Sequence, residues 1–429
     1  MQRYEKYKDS GIKWLGEIPE HWEVRKIKYL FNEINERALD GSGDLLSVSQ
    51  YSGVQKKADK LNEGDLLTNA STLEGYKVVR KKQLVSNIML AWNGSLAFSD
   101  YDGITSPAYC VYELQANNYY KYFHYLLKTG IYKSEFKRKS SGVIESRLRL
   151  YTEDFFSISS ILPPIHEQYS IANFLDNKCE KIDAAVNLKE QQIEKLKELR
   201  QITIHHAITK GIPHVKGEVV PTKDSGIDWI GEIPKHWEIK RLKYIFSILK
   251  RIAGREGYDV LSITQKGIKV KDVKSGEGQL AMDYSKYQLA YKGEFAMNHM
   301  DLLTGWVDIS EHDGVISPDY RVFTLINNRN FSPYFLFVLQ DCYSSKIFYA
   351  HGQGVSMLGR WRFPTENFNN FFFPIPPLTE QKAIVAFLQE QTSKIDKAIL
   401  QKQEQIVKLK EYKQSLINDV VTGKIKVAV

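Results

Sequence analysis

Apolar and polar positions alternate in short runs through two separated parts of the chain. DLLSVSQ at Asp44–Gln50, VYELQ at Val111–Gln115, VLSITQ at Val260–Gln265 and YRVFTL at Tyr320–Leu325 place apolar side chains on one face, between Gly, Asn and Asp turns. That spacing predicts short half-buried strands. The spans Tyr119–Phe136 and Ser332–Tyr349 read instead as helices, each followed by a Gly-containing loop. Pro163-Pro164 and Pro376-Pro377 then end each mixed lobe, because the proline ring fixes φ and removes a backbone donor.

A third texture follows each proline pair. From Glu167 to Ile208 and from Glu380 to Val421 there is no Pro and almost no Gly, and Lys, Glu, Gln, Leu and Ile dominate. Each span predicts a helix of roughly 40 residues, about 60 Å long at 1.5 Å per residue. Ile182, Val186, Ile193 and Leu196 fall on one face, matched by Ile395, Ile399, Ile406 and Leu409. This is coiled-coil phasing with one seam position taken by Lys189 and Lys402, a polar choice that weakens pairing while fixing register. The alternative is two long helices lying on their own lobes. Matched length, matched phase and symmetric placement favour mutual pairing.

These textures occur twice because the sequence does. KDSGIKWLGEIPEHWEVRKIKYLF, from Lys8 to Phe31, returns 215 positions later as KDSGIDWIGEIPKHWEIKRLKYIF, from Lys223 to Phe246. SPAYCVYEL returns as SPDYRVFTL, RLRLYTEDF as RWRFPTENF, and PPIHEQYSIANFL as PPLTEQKAIVAFL. The stretches 45–100 and 258–310 share little beyond their first strand. Two copies of one scaffold thus carry two different inserts. The expected division is a lobe over 1–162, a long helix over 163–212, a second lobe over 213–375 and a second helix over 376–429. Trp14, Trp22, Trp229 and Trp237, with Pro19 and Pro234, are expected to pack the duplicated lobes.

Bulk properties narrow the class. A chain of 429 residues suits two to three folding units, and 43% hydrophobic with 26% charged residues excludes a disordered chain. The formal charge of +8 leans toward an anionic partner. Cys110, Cys179 and Cys342 are too scattered for a disulfide framework or structural zinc, which points to a reducing cytosol. The opening MQRYEKYKDSG lacks the apolar core of a secretory signal, and no apolar run approaches the length of a membrane span.

Candidate binding residues lie in the divergent loops. Lys and Arg beside Ser and Gly can contact phosphates, and Gln, Asn and Arg can read base edges. By loop position and chemistry these are Gln50, Tyr51, Lys56 and Lys57 with Ser140 and Ser141 in the first lobe. In the second they are Gln265, Lys266, Lys269, Gln353 and Arg360. Basic clusters at Lys77–Lys82, Lys137–Lys139, Lys250-Arg251, Lys266–Lys274 and Arg360–Arg362 support a nucleic-acid partner, although each alone could be a solvated face.

Chemistry is sparse by comparison. No G-x-x-x-x-G-K-S/T phosphate loop is present. His205-His206 has no Cys or acidic cluster nearby in sequence, so no metal site and no catalytic residue is expected. Ser106–Tyr109 and Ser317–Tyr320, SPAY and SPDY, approach the S/N/D-P-P-Y/F motif of amino-methyltransferases. Both lack its second proline, and no Gly-rich methyl-donor motif precedes either. A turn opening a strand is the expected role.

The tandem KDSGIxWxGEIPxHW phrase, the PPxxEQxxIxxFL entry to each long helix, the KID that follows and the variable middles together resemble the specificity subunit of Type I restriction-modification systems. The resemblance covers essentially the whole chain. It implies an α+β fold: two pseudo-twofold-related mixed target-recognition domains, separated by two long antiparallel helices forming a coiled coil that sets the gap. It implies that each domain reads one half of a bipartite, asymmetric double-stranded DNA site. It also implies that the chain is not itself catalytic. Two methyltransferase subunits would carry out N6-adenine methylation with S-adenosylmethionine, and restriction subunits would join for ATP- and Mg-dependent translocation and cleavage. The chain itself would bind no cofactor and work in the cytoplasm, away from membranes. Against this stand a free-standing adenine methyltransferase, which would bind methyl donor alone, and a DNA-binding scaffold with no methyltransferase partner.

Overall fold

The computed structural model describes residues 2–60, 72–144, 148–212, 220–273, 281–327, 329–354 and 361–427. It divides into two compact units, one of Met1–Lys189 with Glu404–Val429, the other Glu190–Gln403. The division cuts across the helical spans read from the sequence, because each unit takes a piece of both long helices.

In the first unit a four-stranded antiparallel sheet runs in the order Phe31–Ile34, Tyr109–Leu114, Leu84–Asn87, Leu96–Phe98. In the second the order is Phe246–Leu249, Arg321–Leu325, Phe295–Met297, Val307–Ile309. The alternating runs of the sequence supply the central strand of each sheet and its β-hairpin. The hairpins, Leu46–Ser49 with Gly53–Lys56 and Leu261–Thr264 with Gly267–Val270, pack against the far strand of their sheets. Ser106–Tyr109 and Ser317–Tyr320 form the expected turns opening the central strands, with Tyr109 and Tyr320 donating their backbone N–H to Ser106 and Ser317.

The helical spans after the sheets are each broken, contrary to the sequence expectation of one helix apiece. The first divides into α1 (Tyr120–Leu127) and α2 (Gly130–Lys139). Thr129 adopts an extended backbone, and its hydroxyl donates to the Leu126 carbonyl, which ends α1. After the short α3 (Thr152–Ser157) comes the long α4 (Ile165–Lys210). In the second copy the break falls between α5 (Ser332–Ser344) and α6 (Ile347–Ala350), where Lys346 takes a left-handed φ of +56°. The short α7 (Thr365–Asn370) precedes α8 (Leu378–Val421).

The long helices pair antiparallel within each unit. Ile182, Val186 and Ile193 of α4 and Ile406 of α8 are buried, as the seam predicts. The seam lysines find polar partners rather than water alone. Lys189 donates to Gln405 at 2.6 Å in the first unit, and Lys402 donates to Gln192 at 2.7 Å in the second. Asp183–Lys413 at 2.6 Å and Arg200–Asp396 at 3.0 Å repeat the pattern one to two turns away.

The duplicated phrase has a structural explanation. Trp22 and Trp237 are wholly buried. Trp22 Nε1 donates to Glu167 at 3.1 Å, and Trp237 Nε1 donates to Glu380 at 2.9 Å. His21 and His236 reach the same carboxylates, and in the first unit the Tyr4 hydroxyl adds a third bond at 2.7 Å. Each glutamate sits in the first turn of a long helix, where the exposed N–H groups favour negative charge. Gln168 and Gln381, next in line, donate to the Pro163 and Pro376 carbonyls, both at 2.9 Å. The far ends of the helices close on the same tryptophans. Gly423 follows α8 with φ +78°, and a Cβ there would stand 2.5 Å from Pro19 and 3.0 Å from Trp22. Gly211 follows α4 with φ +85°, and a Cβ there would stand 3.5 Å from Trp237. Each indole therefore holds the start of one long helix and the end of the other.

Candidate nucleic-acid interface

The β-hairpins share their first strand but carry unlike tips. In the first, Ser49 and Ser52 bond across the tip at 2.7 Å, and Gly53 turns with φ +66°. That turn leaves the Tyr51 ring 90% exposed beside a half-buried Gln50. An exposed tyrosine at a hairpin tip suits stacking or groove contact. The second hairpin is pinned differently: Thr264 Oγ1 accepts from Lys266 N–H at 3.1 Å and donates to the Gly267 carbonyl at 2.9 Å. Gln265, Lys266 and Lys269 are all exposed there. One tip is thus aromatic and neutral, the other cationic.

Several sequence candidates are already engaged. Lys56 forms an ion pair with Asp44 at 2.6 Å, whose hydrogen bond raises the lysine's pKa. Lys57 is half-buried, and its backbone N–H is bonded to Leu45. Ser140 caps α2, its hydroxyl donating to Phe136 at 2.7 Å. Ser141 and Gln353 occupy equivalent places, each exchanging backbone bonds with an arginine, Arg149 and Arg362. Arg360 lies outside the described residues, as does Lys274 of the Lys266–Lys274 cluster.

Four members of the basic clusters are held by acids, three of them distant in sequence. Lys77 is buried 3.6 Å from Glu33, Arg80 grips Glu36 through two bonds, Arg138 pairs with Glu135, and Arg251 with Glu294. Those four side chains are committed to ion pairs in the fold.

A cationic site missed by sequence reading lies below the first hairpin. A cleft of about 1250 Å³ opens between Gln50, Tyr51, α1 and the helix segments of that unit. Lys128 and Lys133 line it with no carboxylate partner among the described residues. Burial, and then Lys133, lower the Lys128 pKa. Burial likewise holds His124, on the same wall, neutral with a pKa of about 4. The copies differ here as well: Leu336, Gln340 and Ser345 stand where the first has His124, Lys128 and Lys133. The signal available in the sequence was a basic residue on each side of the Thr129 break, which only the fold turns toward the hairpin.

Among the described residues no group of three or more His, Cys, Asp or Glu could hold a metal, and no helix is long and apolar enough to cross a membrane. His205 is bonded through Nδ1 to the buried Asp341 at 2.9 Å, which uses it structurally.

Comparison with known proteins agrees with this geometry. The family model for the Type I restriction modification DNA specificity domain matches residues 19–198 and again 234–408. The Type I restriction enzyme MjaVIII specificity subunit of Methanocaldococcus jannaschii is 24% identical, over 98% of this chain and 97% of its own. The putative type I restriction enzyme MjaX specificity subunit of the same organism is 23% identical, over 98% of both chains. Among solved structures, the HsdS subunit from Thermoanaerobacter tengcongensis has a TM-score of 0.54 at 15% identity, covering 97% of this chain and 100% of its own. A chain from a study of complex assembly and conformational transition of the type I R-M system has a TM-score of 0.66 at 15% identity, covering 95% and 99%.

Proposed function

The chain belongs to the Type I restriction modification DNA specificity family, and from that premise we propose that each of its lobes reads one half of a bipartite, asymmetric site on double-stranded DNA. It is the recognition component of such a system rather than its enzyme. Two methyltransferase subunits dock on it for N6-adenine methylation, and restriction subunits join through the complex for cleavage. S-adenosylmethionine, ATP and Mg bind those partners, in the cytoplasm. The gap between the half-sites follows from the length of the helices joining the lobes.

The observation that carries this reading is the pair of matching hairpins with unlike tips, Gln50-Tyr51 on one scaffold copy and Gln265-Lys266 on the other. A shared scaffold with unlike tips fits two readers of unlike sequences. Gln50, Tyr51, Ser141, Gln265, Lys266, Lys269 and Gln353 remain the candidates for base or phosphate contact, joined by Lys128 and Lys133. Arg360 keeps its place on loop position, and Lys56, Lys57 and Ser140 act chiefly by holding their loops.

Mapping methyladenine in a host carrying the complete system tests the proposal. Gln265→Ala or Lys266→Ala should relax one half of the methylated motif by about 1–3 kcal/mol of discrimination and leave the other half unchanged. Equal loss at both halves would sink the idea of independent readers.

A further inference from the structure

The chain keeps a second feature in both copies, away from the hairpins. The segments Glu23–Tyr29 and Glu238–Tyr244 each form a short strand and a 3-10 turn. Each ends in a tyrosine that is more than half exposed, Tyr29 at 56% and Tyr244 at 63%. The preceding lysine lies over that ring, Lys28 at 4.7 Å and Lys243 at 5.1 Å from the centroid. Arg25 and Lys26 become Lys240 and Arg241, all exposed, so each patch holds three cations against one carboxylate. Lys26, Lys28 and Lys243 have no acidic partner among the described residues.

The patch keeps its sign although not every exposed charge of the repeated phrase does. Two other exposed positions in the same repeated phrase reverse their charge between the copies, Lys13 to Asp228 and Glu20 to Lys235. Surface charge has drifted there, whereas at the patch Arg and Lys exchange while the sign and the tyrosine stay. Both side chains point away from the core, so packing does not explain them.

The position of the patch separates it from the readers. The Gln115 N–H bonds the Leu30 carbonyl at 2.8 Å, and in the second unit Ile326 bonds Ile245 at 2.9 Å, which sets each patch at the exit of its central strand. The Ser106 and Ser317 turns open the entry of those strands, about 17 Å away at 3.3–3.4 Å per residue. The hairpins lie at the opposite edge of each sheet. A partner at the patch need not vary with the DNA sequence read.

We infer that the Tyr29 and Tyr244 patches are paired docking sites for acidic surfaces on two identical methyltransferase subunits. The inference rests on the proposed function above and adds where each copy of the scaffold holds its partner. Exposed Tyr and Arg are the residue types enriched in protein interfaces, and the unpaired lysines supply electrostatic complementarity to an acidic face.

The test uses the full chain with purified methyltransferase subunit of the same system, the complex mass being read by light scattering and DNA affinity across salt concentrations. Wild type takes up two subunits. Lys28→Glu with Tyr29→Ala should weaken one of the two uptakes at least tenfold, Lys243→Glu with Tyr244→Ala the other, and all four together should leave none, with the salt dependence of DNA binding unchanged. Lys28→Arg should retain both. Unchanged stoichiometry in the fourfold variant overturns the inference, and a flatter salt dependence there would make the patch a phosphate contact. Should the fourfold variant misfold by circular dichroism, Lys28→Gln with Lys243→Gln is read by the same criteria. Failure of the wild-type chain to take up any subunit would instead remove the proposed function, and the docking sites with it.

Discussion

At Lys82 the backbone takes a left-handed φ of +67°, and its N–H bonds the Ser99 carbonyl at 2.7 Å. The second copy makes the same turn with Gly293, at φ +89°, bonded to Ser310 at 2.8 Å. A side chain in this region costs about 1–2 kcal/mol, offset in part by Lys82 lying 5.7 Å over the Tyr120 ring. Lys82→Gly relieves that strain but loses the ring contact and adds entropy to the unfolded chain, so the stability of the first unit should change by less than about 1 kcal/mol, measurable by denaturant unfolding. Glu167 gives a pH prediction. Burial pushes its carboxyl up, but the bonds from Tyr4, His21 and Trp22 outweigh that and leave it below 4.5. A folded-state value below the unfolded one contributes stability that is complete above pH 4.5 and lost as pH falls through the folded value. Glu167→Gln should lower the melting temperature at neutral pH and shrink the further drop on acidification.

At the scale of elements, Trp22→Phe keeps the aromatic packing and removes the indole N–H bonded to Glu167. A loss of about 1–3 kcal/mol is expected in the first unit, read as a shift in its own hydrogen-exchange protection. The seam of the long helices was legible because a helix repeats its spacing within a few residues, so Ile182, Val186 and Ile193 declare their face. The strands were legible for the same reason. The Trp22–Glu167 bond was not, because its partners stand 145 residues apart. The pairing of Lys77 and Arg80 was hidden for the same reason: Glu33, on another strand, and Glu36, just beyond that strand, each stand 44 residues away. Hairpin residues such as Tyr51 and Lys266 could be placed in loops from the sequence, but which of them stay uncommitted depends on tip bonding that only the fold supplies.

At the scale of the molecule, each unit borrows from the other copy of the repeat. Leu416, Val420 and Val421 of α8 are buried in the first unit, where the Tyr122 hydroxyl donates to the Val421 carbonyl at 3.1 Å. Ile204, Ala207 and Ile208 of α4 enter the core of the second, where Tyr334 donates to Ile208 at 3.2 Å. Removing residues 411–429 should abolish slow exchange in the first unit and leave the second protected, which hydrogen-exchange mass spectrometry would resolve by segment. The exchange of helix ends also bears on biosynthesis. The second unit, Glu190–Gln403, has all its parts once residue 403 has been made, whereas the lobe that leaves the ribosome first needs the closing turns of α8. The amino-terminal lobe is therefore the last to be completed, and a chain cut short near its end would carry an intact second reader beside an unfinished first.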